Sequence, residues 1–226
     1  MQSYKVLALI TARGGSKGLP RKNVLLAGGR PLVAWTVQAA LKAESVDRVV
    51  LSSDDDEIMA AASAAGCEVP FRRPPELAND QASSMDVVIH ALSELPGYDY
   101  VMLLQPTSPL RTSSDIEAAF KCLRDHDAPA CVSVTEAEQS PYWMYTLSGD
   151  DRLYSIFEPQ PNFSRRQDLP PVYVLNGAIY IAKIDWFLKT RSFLCPETVA
   201  YKMPKDRSLD IDDATDFERF IKIVEA

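Results

Sequence analysis

The chain has 226 residues, of which 46% are hydrophobic and 24% are charged, and its formal net charge is −7. This composition is typical of one folded soluble domain, here spanning 1–226, and the net negative charge argues against a nucleic-acid-binding surface. The first apolar run, Val6 to Thr11, is too short for a signal peptide or a membrane span, so we expect a cytoplasmic protein that contacts no membrane.

Short apolar runs alternate with helical patterns through the first two thirds of the chain. This alternation predicts an α/β fold with a mostly parallel sheet and helices on both faces. The predicted strands are residues 6–10, 48–53, 100–104 and 131–134. The predicted helices are residues 32–42, 57–65, 85–95 and 115–125, and their end signals include Pro31, Gly66 and a capping box from Ser114 to Glu117.

The pattern changes at Pro141. Two aromatic-rich segments, 142–147 and 152–157, flank a Ser-Gly-Asp-Asp turn and predict an antiparallel pair of strands. We expect a small antiparallel insertion at about 137–195 that reaches a second subunit. The chain returns to the core through "VLNGAIYIA", and the sequence then predicts a helix near 184–190, a strand at 199–203 and a last helix after residue 213.

The cysteines lie far apart and form no C-x-x-C pair: they are Cys67, Cys122, Cys131 and Cys195. This spacing argues against a structural zinc site and against a redox dithiol. We therefore expect four reduced thiols.

A glycine-rich basic loop, "ARGGSKGLPRKN", follows the first predicted strand and so lies at the carboxyl edge of the sheet, where open α/β folds bind ligands. Its glycines let backbone N–H groups approach a ligand closely, and its basic side chains, such as Arg13 and Lys17, supply positive charge. The combination suits a di- or triphosphate, although the spacing matches neither the Walker loop nor the dinucleotide fingerprint. The alternative is a flexible basic turn or a patch that resembles a nuclear-import signal.

Two carboxylates precede the last predicted helix. Asp210 and Asp212 occupy alternate positions of an extended segment in "RSLDIDDATDFE" and so point to one side, which suits Mg²⁺. The alternative is that Asp212 or Asp213 caps the helix. Together with the basic loop, the pair predicts nucleotidyl transfer, in which Mg²⁺ and cations hold a triphosphate while a hydroxyl attacks its α-phosphorus.

Six motifs, in chain order, resemble one enzyme family: "ARGGSKGLPRKN", "SSDDDEI", "FRRPPELANDQASS", "LLQPTSPLRT", "NGAIYIA" and "LDIDD". The family is the CMP-sialic acid synthetases, or acylneuraminate cytidylyltransferases, and the resemblance runs from about Lys5 to the C-terminus. It implies a Rossmann-like nucleotidyltransferase fold and a homodimer. It also implies conversion of CTP and a nine-carbon sugar acid (a nonulosonic acid) to the CMP-sugar and pyrophosphate, with Mg²⁺ or Mn²⁺ as cofactor.

The resemblance further implies roles for individual residues. The triphosphate would be bound by Arg13, Ser16, Lys17 and Lys22, the cytidine by Asn23, Arg73 and Ser83, and the metal by Asp210 and Asp212. Arg13, Lys17, Lys22 and the two aspartates would carry the catalysis. The acceptor sugar would contact Gln105, Arg166 and Tyr180, with Asn176 and Gly177 shaping the same pocket, and Phe193 lies in a segment that the family lends to the partner's site.

Three of these acceptor residues have plain alternatives. Gln105 is also consistent with a loop amide that bonds to the backbone. Arg166 is also consistent with a solvated loop arginine, since its neighbour Arg165 could bind the sugar in its place. Phe193 is equally consistent with an ordinary buried aromatic.

The chain departs from sialic acid enzymes at the acceptor pocket. Val174 stands where some of them carry a basic residue, and residues 141–144 read "PYWM" in the region where they carry a lysine. A less charged, aromatic rim suits a dideoxy sugar acid such as legionaminic or pseudaminic acid. Less favoured alternatives are another sugar or polyol cytidylyltransferase, such as one making CMP-Kdo, and a catalytically silent nucleotide-binding module.

Overall fold

The computed structural model describes residues 4–16, 18–157 and 169–226, and two residues of the expected site, Lys17 and Arg166, lie outside these ranges. The described strands are β1 (Val6–Thr11), β2 (Leu26–Ala27), β3 (Arg30–Pro31), β4 (Arg48–Ser52), β5 (Tyr100–Leu104), β6 (Ala130–Glu136), β7 (Tyr145–Leu147), β8 (Leu153–Ser155), β9 (Tyr173–Lys183) and β10 (Val199–Lys202). The described α-helices are α1 (Leu32–Leu41), α2 (Asp56–Ala64), α3 (Ser84–Glu94), α4 (Ser113–Asp125), α5 (Ile184–Thr190) and α6 (Ala214–Val224). In these ranges no helix has both the length and the apolar character needed to cross a membrane.

Six strands form the central sheet, in the order β10-β6-β9-β5-β1-β4. β1 runs parallel to β4 and β5, and β6 runs parallel to β10. β9 runs antiparallel to its two neighbours, β5 and β6, because the segment between β6 and β9 starts and ends at the carboxyl edge of the sheet. The predicted mostly parallel α/β sheet is confirmed, and β9 is its one reversed strand.

Strand β1 is buried on both faces because helices cover both sides of the sheet. Ala8 and Ile10 pack in a cluster with side chains of α1, α2 and α4, whereas Leu7 and Leu9 pack on the other face with side chains of α3 and α5. Fully burying an aliphatic side chain of this size stabilises a fold by about 1.5–3 kcal/mol. The sheet is therefore a firm support for the loops at its carboxyl edge.

The four predicted helices are confirmed to within two residues at each end, but the capping box of α4 is not the one predicted. Thr112, rather than Ser114, is the N-cap residue. Its hydroxyl accepts the Asp115 N–H at 3.2 Å, and the Asp115 carboxylate accepts the Thr112 N–H at 2.9 Å. The same carboxylate is held by Tyr201 and Arg207, so tertiary contacts that the local sequence does not reveal decide where the helix begins.

The antiparallel pair predicted after Pro141 is present as β7 and β8. Both strands are shorter than predicted, and Pro141–Trp143 forms a 3₁₀ helix because proline suits the first position of a helix. The pair exposes large apolar side chains, among them Leu147 at 68% and Leu153 at 63%. An exposed apolar patch of this kind is typical of a surface that contacts another protein.

All four cysteines are free thiols, as expected from their spacing. Burial raises the pKa of the Cys67 thiol to about 12. A thiol with a pKa this high is protonated at neutral pH and is a poor nucleophile, so Cys67 is a packing residue.

Candidate active site

Several of the expected site residues lie on segments that meet at the carboxyl edge of the central sheet. The basic loop follows β1, the turn with Gln105 follows β5, and the segment with Asp210 and Asp212 precedes α6. An irregularity in β9 completes the site: Val134 of β6 pairs with Leu175, and Val132 pairs with Tyr180, which leaves 176–179 as a bulge. A bulge re-aims side chains and is common beside active sites.

Two hydrogen bonds from or to side chains fix the backbone of the basic loop at Arg13 and Gly14. The Gly14 N–H donates to the Asp54 carboxylate at 3.1 Å, and the Asn23 amide donates to the Arg13 carbonyl at 3.2 Å. Asn23 is buried, so its amide serves to fix the backbone of Arg13, and Ser16 lies half-buried in the same loop. The backbone at Arg13 and Gly14 is therefore held in place without a ligand.

One basic side chain of the loop is neutralised by acidic neighbours. Arg21, in the left-handed conformation with φ 59°, forms ion pairs with Asp55 and Glu57. The hydrogen bond from Arg21 holds the pKa of the Asp55 carboxyl below its usual value. Arg21 thus ties the loop to α2, and the positive charge for a ligand comes from other residues.

Lys22 joins the two halves of the expected site, although it lies 189 residues from its partner. Its Nζ donates to the Ile211 carbonyl at 2.9 Å and lies 3.9 Å from the Asp212 carboxylate. The backbones also meet, because a Cβ on Gly18 would lie 2.2 Å from the Asp212 carbonyl oxygen. Only glycine allows this approach, so the basic loop and the aspartate segment form one site.

The N-cap of α6 is Asp213. Its carboxylate accepts the Thr215 N–H at 2.8 Å and the Asp216 N–H at 3.0 Å. Capping therefore accounts for Asp213 and not for Asp212, whose side chain is 81% exposed. The capping alternative is therefore confirmed for Asp213, and it does not account for the carboxylates of Asp210 and Asp212.

Asp210 is more buried than Asp212, and its Oδ1 atom is enclosed with no hydrogen-bond partner among the described residues. Burial raises the pKa of this carboxyl, a hydrogen bond from Thr107 opposes the rise, and the charge of Asp212 adds to it. A buried carboxylate oxygen without a partner is costly unless a ligand satisfies it.

The donor set fits a magnesium ion. In the described ranges no group of three or more His, Cys, Asp or Glu side chains is placed to hold a metal ion, and the expected site supplies two carboxylates, those of Asp210 and Asp212. Mg²⁺ is commonly held by one or two carboxylates while water and substrate phosphates fill its other positions.

Gly177 of the β9 bulge lies where two expected site residues meet. Its φ is +72°, and a Cβ there would lie 2.7 Å from Gln105 Oε1 and 3.6 Å from Asp210 Oδ2. Burial and then the charge of Asp210 raise the pKa of the Tyr180 hydroxyl. The structure therefore brings Gln105, Gly177 and Asp210 together, and Tyr180 follows Gly177 on the same strand.

The amide of Asn176 is turned into the fold. Its Nδ2 donates to the Ser208 hydroxyl at 2.9 Å, and its Oδ1 accepts from the Ser133 hydroxyl at 2.6 Å and from the Ala178 N–H at 3.2 Å. These bonds hold the β9 bulge against β6 and against the segment that leads to Asp210. Asn176 thus shapes the pocket rather than offering its amide to it.

A cavity of about 310 Å³ next to the basic loop contains Arg13 and Arg73. Arg13 donates to the Asn79 carbonyl at 2.9 Å and forms an ion pair with Asp80 at 2.6 Å. Arg73 is 4% exposed and bonds to the hydroxyl and carbonyl of Ser52. Burial lowers the pKa of Arg73 to about 10, so the cavity holds a largely charged guanidinium.

Two expected site residues make structural contacts. The Ser83 hydroxyl caps α3 by accepting the Met85 N–H at 3.1 Å. Phe193 is 3% exposed in the core of its own chain, and its ring centroid lies 5.7 Å from that of Tyr180 and 4.7 Å from that of Phe187. Phe193 is therefore an ordinary buried aromatic, which was the alternative to a site residue, and its ring packs beside that of Tyr180.

Sequence reasoning missed three residues of the turn after β5, although it singled out their motif "LLQPTSPLRT". Thr107 bonds to the Asp210 carboxyl, and its carbonyl accepts the Ile211 N–H at 2.8 Å. The Ser108 hydroxyl donates to the Asn176 carbonyl at 3.1 Å. Arg111 is buried beneath the turn. Each of them supports residues of the expected site.

Comparisons with known proteins bear on this arrangement. A family model described as "Cytidylyltransferase" matches residues 7–183. The chain is 38% identical over 219 residues to an N-acylneuraminate cytidylyltransferase of Escherichia coli O18:K1:H7, a match that covers 97% of this chain and 52% of the relative. It is 34% identical over 224 residues to a pseudaminic acid cytidylyltransferase of Campylobacter jejuni, a match that covers 97% of this chain and 96% of the relative.

The fold also resembles a solved structure, that of CMP:2-keto-3-deoxy-manno-octonic acid synthetase complexed with CTP. The TM-score is 0.73 at 19% identity, and the match covers 98% of each chain. The chain spans about half the length of the N-acylneuraminate relative, whereas it spans nearly all of the pseudaminic acid relative.

Proposed function

The chain belongs to the cytidylyltransferase family, and from this membership we propose that it transfers the cytidylyl group of CTP to a nine-carbon sugar acid. The observation that carries the proposal is the hydrogen bond from Lys22 to the Ile211 carbonyl. It joins a basic glycine loop, which suits a triphosphate, to the carboxylates of Asp210 and Asp212. Nucleotidyl transfer needs these two parts in one place.

The nucleotide half of the proposed site is the cavity with Arg13 and Arg73. Arg13 and Lys22 supply positive charge for the triphosphate, together with Lys17, which lies outside the described residues. Arg13 exchanges its ion pair with Asp80 for phosphate oxygens when CTP binds. The exchange is favourable because a triphosphate carries more negative charge than one carboxylate.

Asp210 and Asp212 are the proposed ligands of Mg²⁺, with Mn²⁺ as the alternative. When bound, the ion neutralises charge on the triphosphate. The unpartnered Oδ1 of Asp210 and the exposed carboxylate of Asp212 are the donors. Ile211 lies between the two aspartates, and its backbone is held by hydrogen bonds with the Lys22 side chain and the Thr107 carbonyl.

In the proposed reaction, the anomeric hydroxyl oxygen of the sugar forms a bond to the α-phosphorus of CTP. The bond from that phosphorus to the α,β-bridging oxygen breaks, and pyrophosphate leaves. The hydroxyl proton passes to a base, for which the exposed Asp212 carboxylate is our candidate. Arg13 and Lys22 stabilise the negative charge that develops on the pyrophosphate.

We assign the sugar acid to the surface formed by Gln105, Gly177 and Tyr180. The Gln105 amide offers a donor and an acceptor to sugar hydroxyl or acylamino groups. Arg166, outside the described residues, is the proposed partner of the sugar carboxylate, because a guanidinium binds a carboxylate through two parallel hydrogen bonds.

An N-acylneuraminate-type acid is the first candidate acceptor, and legionaminic or pseudaminic acid is the second. The second candidate is supported by the apolar residues beside the β9 bulge, since Val174 and Leu175 are 50% and 41% exposed. Such a rim leaves the hydroxyl groups of a neuraminic acid side chain without partners, whereas it suits methyl and acyl groups.

We further propose that the protein is a homodimer and that the partner covers the apolar face of β7 and β8. The exposed side chains of this face include Leu147, Leu153 and Tyr154. Two short strands alone are marginally stable in water, so a second copy packed on this face would stabilise them.

The test is release of pyrophosphate from CTP and Mg²⁺ with N-acetylneuraminic, legionaminic, pseudaminic and Kdo acids in parallel. We expect turnover with a nine-carbon acid and only trace turnover in Asp210→Ala. Asp213→Asn is the matched control, because asparagine also caps helices and this residue is not a proposed ligand. Turnover with Kdo alone would indicate a different cytidylyltransferase, and CTP binding without turnover would indicate a silent module.

A further inference from the structure

Arg111 is a buried cation on the turn between β5 and α4. It is 2% exposed. Its Nη1 donates to the Gln105 carbonyl at 3.2 Å and to the Ala178 carbonyl at 2.9 Å, and its Nη2 donates to the Thr36 hydroxyl at 2.5 Å. The guanidinium therefore links three elements: α1, the turn after β5 and the bulge of β9.

All of these partners are neutral. Arg111 forms no ion pair with a described residue, and its Nε lacks a partner in the same set. The Asp115 carboxylate attracts Arg111 from a distance, but both oxygens of Asp115 are bonded to Arg207. Burial lowers the pKa of Arg111 to about 9, so the group is still mostly charged at neutral pH.

A buried charge without a countercharge is costly, and an apolar side chain of similar volume would fill the same space without that cost. Local features that conflict with stability are concentrated at functional sites. The position of Arg111 therefore calls for a role besides packing.

The two carbonyl groups that Arg111 holds border the proposed acceptor pocket. One belongs to Gln105 itself, and the other belongs to Ala178, the neighbour of Gly177. The Gln105 Oε1 atom lies 2.7 Å from the place where a Gly177 Cβ would be, so the turn and the bulge touch at this point. A shift of either backbone moves the Gln105 amide against its neighbour.

We infer that Arg111 is a positioning residue that fixes the turn after β5 against the β9 bulge and thereby aims the Gln105 amide at the acceptor sugar. The inference rests on the proposed function. A guanidinium is suited to the task because its planar fork holds two acceptors in a fixed relation, whereas a lysine ammonium is a point charge on a flexible stem. The CTP cavity lies on other elements, at Arg13 and Arg73, so the effect on KM should be larger for the acceptor than for CTP.

The experiment compares Arg111→Lys and Thr36→Val with the wild-type protein. We expect kcat/KM for the acceptor to fall by about tenfold or more in Arg111→Lys, mainly through KM, because displacements near 1 Å are costly. KM for CTP should stay within about twofold. Thr36→Val removes one contact of the guanidinium and the weaker 3.4 Å hydrogen bond from the Thr36 hydroxyl to the Gln105 carbonyl, and it should raise the acceptor KM by a smaller factor.

Leu123→Ala is the control for a purely structural effect. Leu123 is fully buried on α4, so its truncation lowers the melting temperature without touching the proposed site. We expect the acceptor KM of this variant to equal that of the wild type.

The outcomes separate the inference from the function on which it rests. Absence of turnover in the wild type with every acceptor counts against the proposed function. An active wild type with unchanged acceptor KM in Arg111→Lys, or with both KM values raised equally, overturns the inference. If Arg111→Lys does not fold, Thr36→Val decides, and an unchanged acceptor KM in that variant overturns it.

Discussion

Substitution of Gly18 by alanine tests whether the basic loop and the aspartate segment must touch. A Cβ on Gly18 would lie 2.2 Å from the Asp212 carbonyl oxygen, whereas ordinary contacts begin at 3.4 Å. Because the obstacle is backbone, the two segments must separate by about 1 Å. The 2.9 Å bond from Lys22 to the Ile211 carbonyl would then exceed the usual hydrogen-bond range.

We expect this separation to lower kcat/KM for CTP by about 10²-fold, the cost of a misplacement near 1 Å. The loss corresponds to about 2.7 kcal/mol of transition-state stabilisation. Pyrophosphate release measures it, and a thermal melt shows that the variant is folded. Gly15→Ala is the matched control, because no heavy atom lies within 4 Å of a Cβ at this second glycine of the loop.

The result that refutes this reasoning is a Gly18→Ala protein as active as Gly15→Ala. The basic loop and the aspartates would then act without direct contact. Equal loss of activity in both variants would also contradict it, because it would show that flexibility of the loop matters rather than the close approach.

Three further predictions concern other parts of the molecule. Gly177→Ala adds about 1–2 kcal/mol of left-handed strain and a contact with the Gln105 side chain, so the acceptor KM should rise while the CTP KM does not. Asp115→Asn should lower the free energy of unfolding by about 2 kcal/mol at pH 7. Burial raises the pKa of the Asp115 carboxyl, but hydrogen bonds, the strongest of them from Arg207, lower it further and hold it at about 2. Leu153→Asp should convert the proposed dimer to a monomer in light scattering, because a charge on an apolar interface is costly.

The pH dependence of the Asp115 effect has a definite sign. The folded-state pKa of about 2 lies below the ordinary value near 3.9, so the stability is fully present above that value and is lost as the pH falls toward 2. Denaturant titrations of the wild type and Asp115→Asn should therefore converge between pH 4 and about pH 2. A difference that is constant over this range would show that the carboxylate charge is not responsible.

Gly97→Ala is the control for strain at Gly177, because its φ is also positive, at +96°, and a Cβ there meets no atom within 4 Å. A similar rise of the acceptor KM in both variants would contradict the role of the Gln105 contact. For Leu153→Asp, a dimer of unchanged mass would place the interface on another face.

Much of the fold follows from local patterns. The bounds of β1, β4, β5 and the first four helices were predictable to within two residues, because hydrophobic periodicity and end signals lie within about ten residues of chain. The reversal of β9 was not predicted, since an apolar run does not reveal the direction in which a strand enters a sheet. The cap of α4 was misplaced by two residues because Arg207, 92 residues away, helps to orient the Asp115 carboxylate.

The candidate site divides in the same way. The sequence by itself determined which chemistry was present: a basic glycine loop and paired carboxylates are recognisable from residue types and spacing. Only the tertiary structure decided that Lys22 reaches Ile211, that Asn176 faces inward and that Arg111 lies buried between two carbonyl groups. The physical reason is that a side chain bonds to whatever the packing of distant segments brings within hydrogen-bond range, and that packing is a property of the whole fold.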